Sequence, residues 1–285
     1  MGAALVVLLV LLAWVFLRLA PMFGTPHLAL LGRFHASLAA DRSKVVVCVG
    51  DSLTQGNASF DYVYALASRL EPDGFTVLNA GVNGDLAWNV LQRLDAVLRG
   101  EPSYVVLLVG TNDARACESE WAAARSVAAK KLPRTPDEAF FAESYRALLD
   151  ALLASACTRV ITVTIPPLGE RPGERVDEIV ARLNRVIVSE SAARELPCVD
   201  LHAAVERLLD RAERSAAPPY DARRSLRLAA RSVLLRYLLG WRWDRIAGQH
   251  GQQLLPDQIH LGETAGALLV DLVEEEVRSK AEADC

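Results

Sequence analysis

From Val45 onward, short β-branched apolar runs alternate with segments of helical apolar spacing, and this alternation restricts the fold more than any other feature. The runs fall at 45–49, 76–78, 104–109, 160–165 and 198–200, and helical patterns lie near 62–70, 87–98, 139–154 and 176–190. Strands separated by helices cannot pair as hairpins. They need crossover connections, which predict an α/β fold with a central, mostly parallel five-stranded sheet covered on both faces. A closing helix is expected over 264–277, with Leu268, Leu269, Leu272 and Val273 on one side.

The first run stops at Gly50 and delivers Asp51 and Ser52 beyond the strand end. Open sheets of this class bind ligands outside the carboxyl ends of their strands. A serine there, between a turn-permitting glycine and a following helical pattern, is placed as a nucleophile would be; it is placed equally well as a helix N-cap. Three more stretches sit at element ends: Asn79-Ala80-Gly81-Val82-Asn83-Gly84-Asp85, Gly110-Thr111-Asn112-Asp113 and Asp257-Gln258-Ile259-His260.

With Gly50-Asp51-Ser52-Leu53 these stretches resemble, in order, the four sequence blocks of the SGNH (GDSL) hydrolase family. The resemblance covers about Lys44 to the last helix, and implies a three-layer α/β/α, flavodoxin-like domain over residues 44–280. It further implies an ester hydrolase of the esterase or lipase kind, working through an acyl-enzyme without metal or cofactor. By the same resemblance Ser52 is the nucleophile, His260 the general base and Asp257 its orienting carboxylate. Ser52, Gly84 and Asn112 would supply the oxyanion hole, the first two through backbone N–H and the third through its side-chain amide. His260 is followed by Leu261 where the family commonly has proline.

The chemistry needs these residue types. A serine hydroxyl is a poor nucleophile until an imidazole takes its proton, and the imidazole needs a carboxylate to fix its tautomer. Glycine lets a backbone donor approach the substrate without a Cβ in the way. No G-x-S-x-G elbow is present, and no Gly-Lys-Ser/Thr follows the glycines of 50–56 to make a phosphate loop. A thioesterase or an O-acyltransferase could use the same residues, on a small-molecule or a lipid acyl ester. A domain of this fold without activity, serving as a lipid-binding or scaffolding protein, is the reading from another class.

The net charge of -4 and the lack of a basic stripe interleaved with aromatics give no reason to expect a nucleic-acid partner. Five scattered cysteines without a C-x-x-C pair argue against a disulfide framework and a zinc site. Cys48, inside the first run, is expected to be buried and inert. His27, His35, His202 and His250 have no motif around them and are expected at the surface or in linkers.

Residues 2–17 carry no charge and hold Trp14 and Phe16 near their end, which predicts a single-pass membrane anchor over 1–20. A signal peptide is the competing reading, disfavoured because no Lys or Arg precedes the run and no small-x-small site follows it. Positive charge on the C-terminal side alone places the main domain in the cytoplasm; cleavage would make it an exported enzyme. Residues 21–43 read as a linker. Residues 205–256 interrupt the alternation as a helical insertion, in which 221–245 holds seven arginines against two aspartates. On a helical wheel Arg223, Arg224, Arg227 and Arg231 share one arc, and Leu226, Ala229, Ala230, Val233 and Tyr237 share the opposite side. With Leu238, Trp241 and Trp243 following, this stretch is expected to be either a lid resting on lipid beside the site or an ordinary helix packed by its apolar face.

Overall fold

The computed structural model describes residues 2–20, 44–154, 158–209 and 214–282. The strands are β1 (Val45–Gly50), β2 (Thr76–Gly81), β3 (Tyr104–Leu108), β4 (Arg159–Val163) and β5 (Cys198–Val199). Each neighbouring pair is parallel, in the order β2-β1-β3-β4-β5. β1 and β3, near the middle, are buried at every position, which is why they read as unbroken apolar runs rather than alternations. Each fully buried valine of β1 contributes about 1.5–3 kcal/mol. Cys48 is buried among them and its thiol is pushed up to about 12 by that burial, so it is inert.

Helix α1 (Gly2–Leu19) precedes the sheet. The turn α2 (Ser52–Gln55) and helix α3 (Tyr62–Leu70) follow β1, and α4 (Ala87–Gln92) and α5 (Leu94–Leu98) follow β2. After β3 come α6 (Thr111–Glu118), α7 (Glu120–Lys130) and α8 (Glu138–Leu153), and after β4 comes α9 (Arg175–Ala192). The chain closes with α10 (Leu201–Leu208), α11 (Ala222–Leu239), α12 (Trp243–Gln249) and α13 (Glu263–Glu282). Helices α3, α10 and α13 pack together as one layer, and α4, α5, α8 and α9 as another.

The single helix expected over 87–98 is two, broken at Arg93, whose φ is -115°. Its guanidinium is used elsewhere: Nη1 donates to Ala80 O and Nη2 to Gly50 O, both at 2.8 Å, and Nε to Asp85 Oδ2 at 2.7 Å. It thereby ties the carboxyl ends of β1 and β2 together. Helices α6 and α7 were not foreshadowed by apolar periodicity. α6 buries Thr111, Asn112 and Asp113 beside Ala114 and Ala116, so its inward face is largely polar.

The chain leaves β1 toward β2 on one side, then crosses to β3 on the other. This makes the carboxyl ends of β1 and β3 the topological switch point. Ser52 lies just past the first end and Asn112 just past the second.

Helix α1 has 18 residues, about 27 Å at ~1.5 Å per residue, against roughly 30 Å of bilayer hydrocarbon. Among the described residues, no helix is long and apolar enough to cross a membrane. The crossing expected for residues 1–20 therefore has no support there. The linker 21–43, with His27 and His35, lies outside the described residues, as do Cys157 and Cys285.

Candidate active site

Ser52 opens α2 directly after β1, and Asp51 caps that turn by accepting the Leu53 N–H at 3.0 Å. The capping role open to Ser52 in the sequence thus falls to its neighbour. A Cβ on Gly50 would stand 2.2 Å from Leu108 O and 2.3 Å from Thr54 Oγ1. Only glycine lets the chain turn there.

Across the switch point, His260 Nε2 lies 2.8 Å from Ser52 Oγ, and His260 Nδ1 lies 2.6 Å from Asp257 Oδ2. With its Nδ1 proton directed at the carboxylate, the imidazole presents Nε2 as the acceptor for the serine hydroxyl. Asp257 is wholly buried, whereas Ser52 and His260 each keep 8% exposure, so the line of hydrogen bonds opens to solvent at its serine end. Burial by itself would raise the Asp257 carboxyl. The charge and hydrogen bond of His260, with backbone N–H donors from His260 and Ile259 at 2.8 and 3.1 Å, outweigh it and hold the group below the usual carboxylate range.

The loop carrying this pair is fastened from several sides. Buried Glu170 accepts the N–H groups of Gln253, Leu254 and Leu255 at 2.6, 2.7 and 2.8 Å. Ser225 and Ser232 of α11 donate to Asp257 O and Pro256 O at 2.8 and 3.4 Å. Leu261 N–H donates to Ser59 Oγ at 3.1 Å, and Leu261 O accepts from Phe60 N–H at 2.9 Å. A proline at 261 could not make the first of these bonds. The departure at Leu261 gives the histidine loop an extra tie to the segment that follows α2.

Gly84 sits in the turn 82–85, closed by Asp85 N–H to Val82 O at 3.1 Å, with φ +76°. The turn is tied to α2 through Asn83 N–H, which donates to Gln55 Oε1 at 2.6 Å. Asn112 is inside the first turn of α6, with Gly110 at the N-cap position; its amide is therefore not a cap. Its Nδ2 points to Asp85 O at 3.1 Å and Asp51 Oδ2 at 3.3 Å, while Oδ1 accepts from Arg115 Nη1 at 3.0 Å. The second of its two donor contacts is long and easily exchanged for a better acceptor.

Two further buried carboxyls adjoin the site. Asp51 is raised to about 6, chiefly by burial and further by the charge of Asp85, with the Leu53 N–H, His260 and Arg115 pulling the other way. Asp113 is raised to about 7 by burial and by Asp51, although its Oδ2 accepts Ala87 N–H at 3.1 Å. Sequence reasoning gave Asp113, Arg93, Lys130 and Arg115 no role. Only Asp113 and Asp85 carried a signal there, as acids inside the quoted blocks.

A sequence profile of the GDSL-like lipase/acylhydrolase family matches residues 48–263, more than half of the chain and all four stretches. The chain belongs to this family. It is accordingly an SGNH/GDSL-type serine hydrolase acting on ester bonds. No curated protein sequence matches it. Solved structures share its fold: the acetyl xylan esterase AlAXEase at 18% identity and TM-score 0.56, covering 82% of this chain and 99% of that one. A lipase/acylhydrolase from Enterococcus faecalis matches at 22% identity and TM-score 0.52, over 83% and 96%. The acetylxylan esterase Axe2 of Geobacillus stearothermophilus matches at 16% identity and TM-score 0.57, over 82% and 94%.

On this GDSL frame the helical stretch before Asp257 departs from the sequence expectation. Helix α11 packs through small residues, Ala222, Ser225 and Ser232, and Tyr237 Oη donates to Asn57 O at 2.8 Å. Leu226, Leu234 and Leu239 are exposed on it instead. Trp243, expected at a headgroup boundary, is buried, with Arg236 over its ring. His250, expected at the surface, is buried too, with Nδ1 2.5 Å from Pro256 O. His250 thereby braces the segment leading to Asp257, while the backbone N–H of Trp243 donates to Glu263 Oε1 at 2.9 Å.

Proposed function

We propose that Ser52 attacks the carbonyl carbon of a carboxylic ester, with Asp257 and His260 as the pair that activates it. His260 Nε2 takes the serine proton as the C–O bond forms, and the carbonyl oxygen becomes an oxyanion received by the N–H groups of Ser52 and Gly84 and by Asn112 Nδ2. Collapse expels the alcohol, which takes the proton from His260 and leaves an acyl-Ser52. Water, deprotonated by the same histidine, then releases the acid and restores the serine. The observation that carries this reading is the continuous hydrogen-bonded line Ser52–His260–Asp257. Removing members of such a unit costs roughly 10⁴–10⁶ in kcat. A fluorophosphonate probe should label the purified protein, and Ser52→Ala should abolish both labelling and ester turnover. Labelling that survives in folded Ser52→Ala would remove Ser52 from the mechanism.

Substrate is the less constrained half. The esterase neighbours act, by name, on acetyl xylan, which favours a short acyl group on a sugar-like alcohol. A second reading, an ester held at a lipid surface, is favoured by one observation. Helix α1 lies against α11, and the two expose Leu9, Val10, Trp14, Phe16 and Leu17 on one and Leu226, Leu234 and Leu239 on the other. Arg223, Arg227 and Arg231 are exposed beside the latter. Apolar and basic residues side by side suit an anionic membrane surface, reached without a full crossing. A series of aryl esters from acetyl to long chain, assayed with and without anionic vesicles, separates the two. Preference for acetyl esters regardless of vesicles would sink the lipid reading.

A further inference from the structure

Each of the two amides assigned above to the oxyanion hole outside the nucleophile has its carbonyl oxygen held by a cation. Gly84 N–H and Asn83 C=O belong to one planar peptide, and Lys130 Nζ donates to Asn83 O at 2.5 Å. In the side chain of Asn112, Arg115 Nη1 donates to Oδ1 at 3.0 Å. The two cations come from different helices, α7 and α6, and neither lies within the four family-like stretches.

We propose that Lys130 and Arg115 are positioning residues that select and polarise the two donor amides, an inference that rests on the oxyanion assignment made above. The first argument is orientation. The turn 82–85 has the positive φ at Gly84 that a type II turn needs at its third residue. Its competitor, type I, differs mainly by a flip of the peptide 83–84, which would turn the Gly84 N–H over. An ammonium offers only donors. It accepts the orientation with Asn83 O toward it and opposes the flipped one, in which N–H would meet N–H. The same logic fixes Asn112: a guanidinium has no acceptor, so a rotated amide would set NH₂ against it.

The second argument is strength. A hydrogen bond to the carbonyl of an amide draws charge along the group and makes its N–H a better donor, by about 10–30% per bond, and bonds to charged donors are about twice as strong as neutral ones. Lys130 is itself held, donating to Asp85 Oδ1 at 2.8 Å while Arg93 takes Asp85 Oδ2 at 2.7 Å. This leaves one net positive charge among three groups behind the Gly84 turn. Space confirms how closely Lys130 is applied: a Cβ on Gly84 would stand 2.8 Å from its Cε.

The test uses the full chain, p-nitrophenyl acetate as substrate and an aryl boronic acid as the tetrahedral mimic. Lys130→Met and Arg115→Met should each lower kcat about tenfold, with KM within about twofold. Lys130→Arg and Arg115→Lys should recover most of the loss. Across these variants the boronate inhibition constant should rise in step with the fall in kcat/KM. A variant that had merely lost folded protein would lose velocity with the inhibition constant unchanged, and that result overturns the proposal. So does wild-type kcat in both methionine variants. If instead wild type neither turns over esters nor reacts with a fluorophosphonate, the reading of the site fails, and this inference with it.

Discussion

Asp257 and Asp51 are both wholly buried, both accept a backbone N–H two residues ahead, and both lie near His260, yet their ionisation differs in sign. Asp257 is held low and Asp51 is pushed up to about 6. The largest difference is the partner of the second carboxyl oxygen, beside an extra backbone donor at Asp257, the His260 N–H, and the charge of Asp85 near Asp51. Asp257 Oδ2 faces a ring that can carry positive charge at 2.6 Å, whereas Asp51 Oδ2 faces only the neutral amide of Asn112 at 3.3 Å. Burial raises a buried carboxyl, and at Asp257 the directly bonded His260, helped by two backbone N–H donors, reverses this.

The largest effect should come from breaking the charged member. Asp257→Asn keeps the size of the side chain but offers His260 the wrong tautomer, and kcat for an aryl acetate should fall by about 10⁴ with the fold intact. A loss below about tenfold would mean that the pair orients little. Asp51→Asn should be milder, about tenfold. Its new NH₂ would meet the NH₂ of Asn112, disturbing one oxyanion donor of three; an unchanged rate in that variant would detach Asp51 from Asn112.

How much of this was visible in the sequence divides by the range of the contacts. Contacts made within a few residues were legible: the Asp257/His260 spacing, the Asp51-Ser52 turn and the buried runs of β1 and β3 all show in local pattern. What escaped was set by distant partners. The break at Arg93 exists because its guanidinium reaches Gly50 O, 43 residues away, and Lys130 reaches Asp85 across 45. Helix α6 escaped because polar residues fill its inward face, serving the site rather than the core. Helix α11 was expected either to rest on lipid or to pack through the side that carries Leu226, Ala229, Ala230, Val233 and Tyr237; it buries Ala222, Ser225 and Ser232 instead, and the two serines donate to the carbonyls of Asp257 and Pro256.

The effect of burial on a carboxyl can be tested by pH at Asp113, the neighbour of Asn112, which is raised further than Asp51. Asp113, at about 7 in the folded chain against an ordinary 3.8, keeps a proton that the unfolded chain gives up between those values. The folded state then binds more protons, so this group's contribution to stability falls as pH rises from about 4 to 7 and is constant above. Asp113→Asn keeps an acceptor for Ala87 N–H and removes the ionisation. It should be more stable than wild type at pH 8, on the order of 2 kcal/mol, with the advantage vanishing near pH 4. Asp257 has the opposite sign: its contribution is present above the ordinary carboxylate value and lost as pH falls through its lowered folded value. Urea melts at pH 4, 6 and 8 give both slopes. Equal stability of the Asp113 variant and wild type at pH 8 would mean that burial does not raise Asp113.

The smallest effect concerns how the Asp257 loop is braced from outside. Ser225, fully buried on α11, donates to Asp257 O at 2.8 Å. Ser225→Ala leaves that carbonyl without this donor and should cost about 1 kcal/mol of stability in a urea melt. Activity should fall less than about fivefold, because the carboxylate itself stays fixed by the N–H groups of Ile259 and His260. Since Gln258, between Asp257 and Ile259, also donates through Nε2 to Pro219 O at 2.9 Å, the loop keeps a second tether ahead of α11. A loss of activity approaching that of Asp257→Asn would mean that α11 sets the carboxylate directly. The helix would then be part of the catalytic frame, and the exposed leucines on its outer side would be coupled to the chemistry on its inner side.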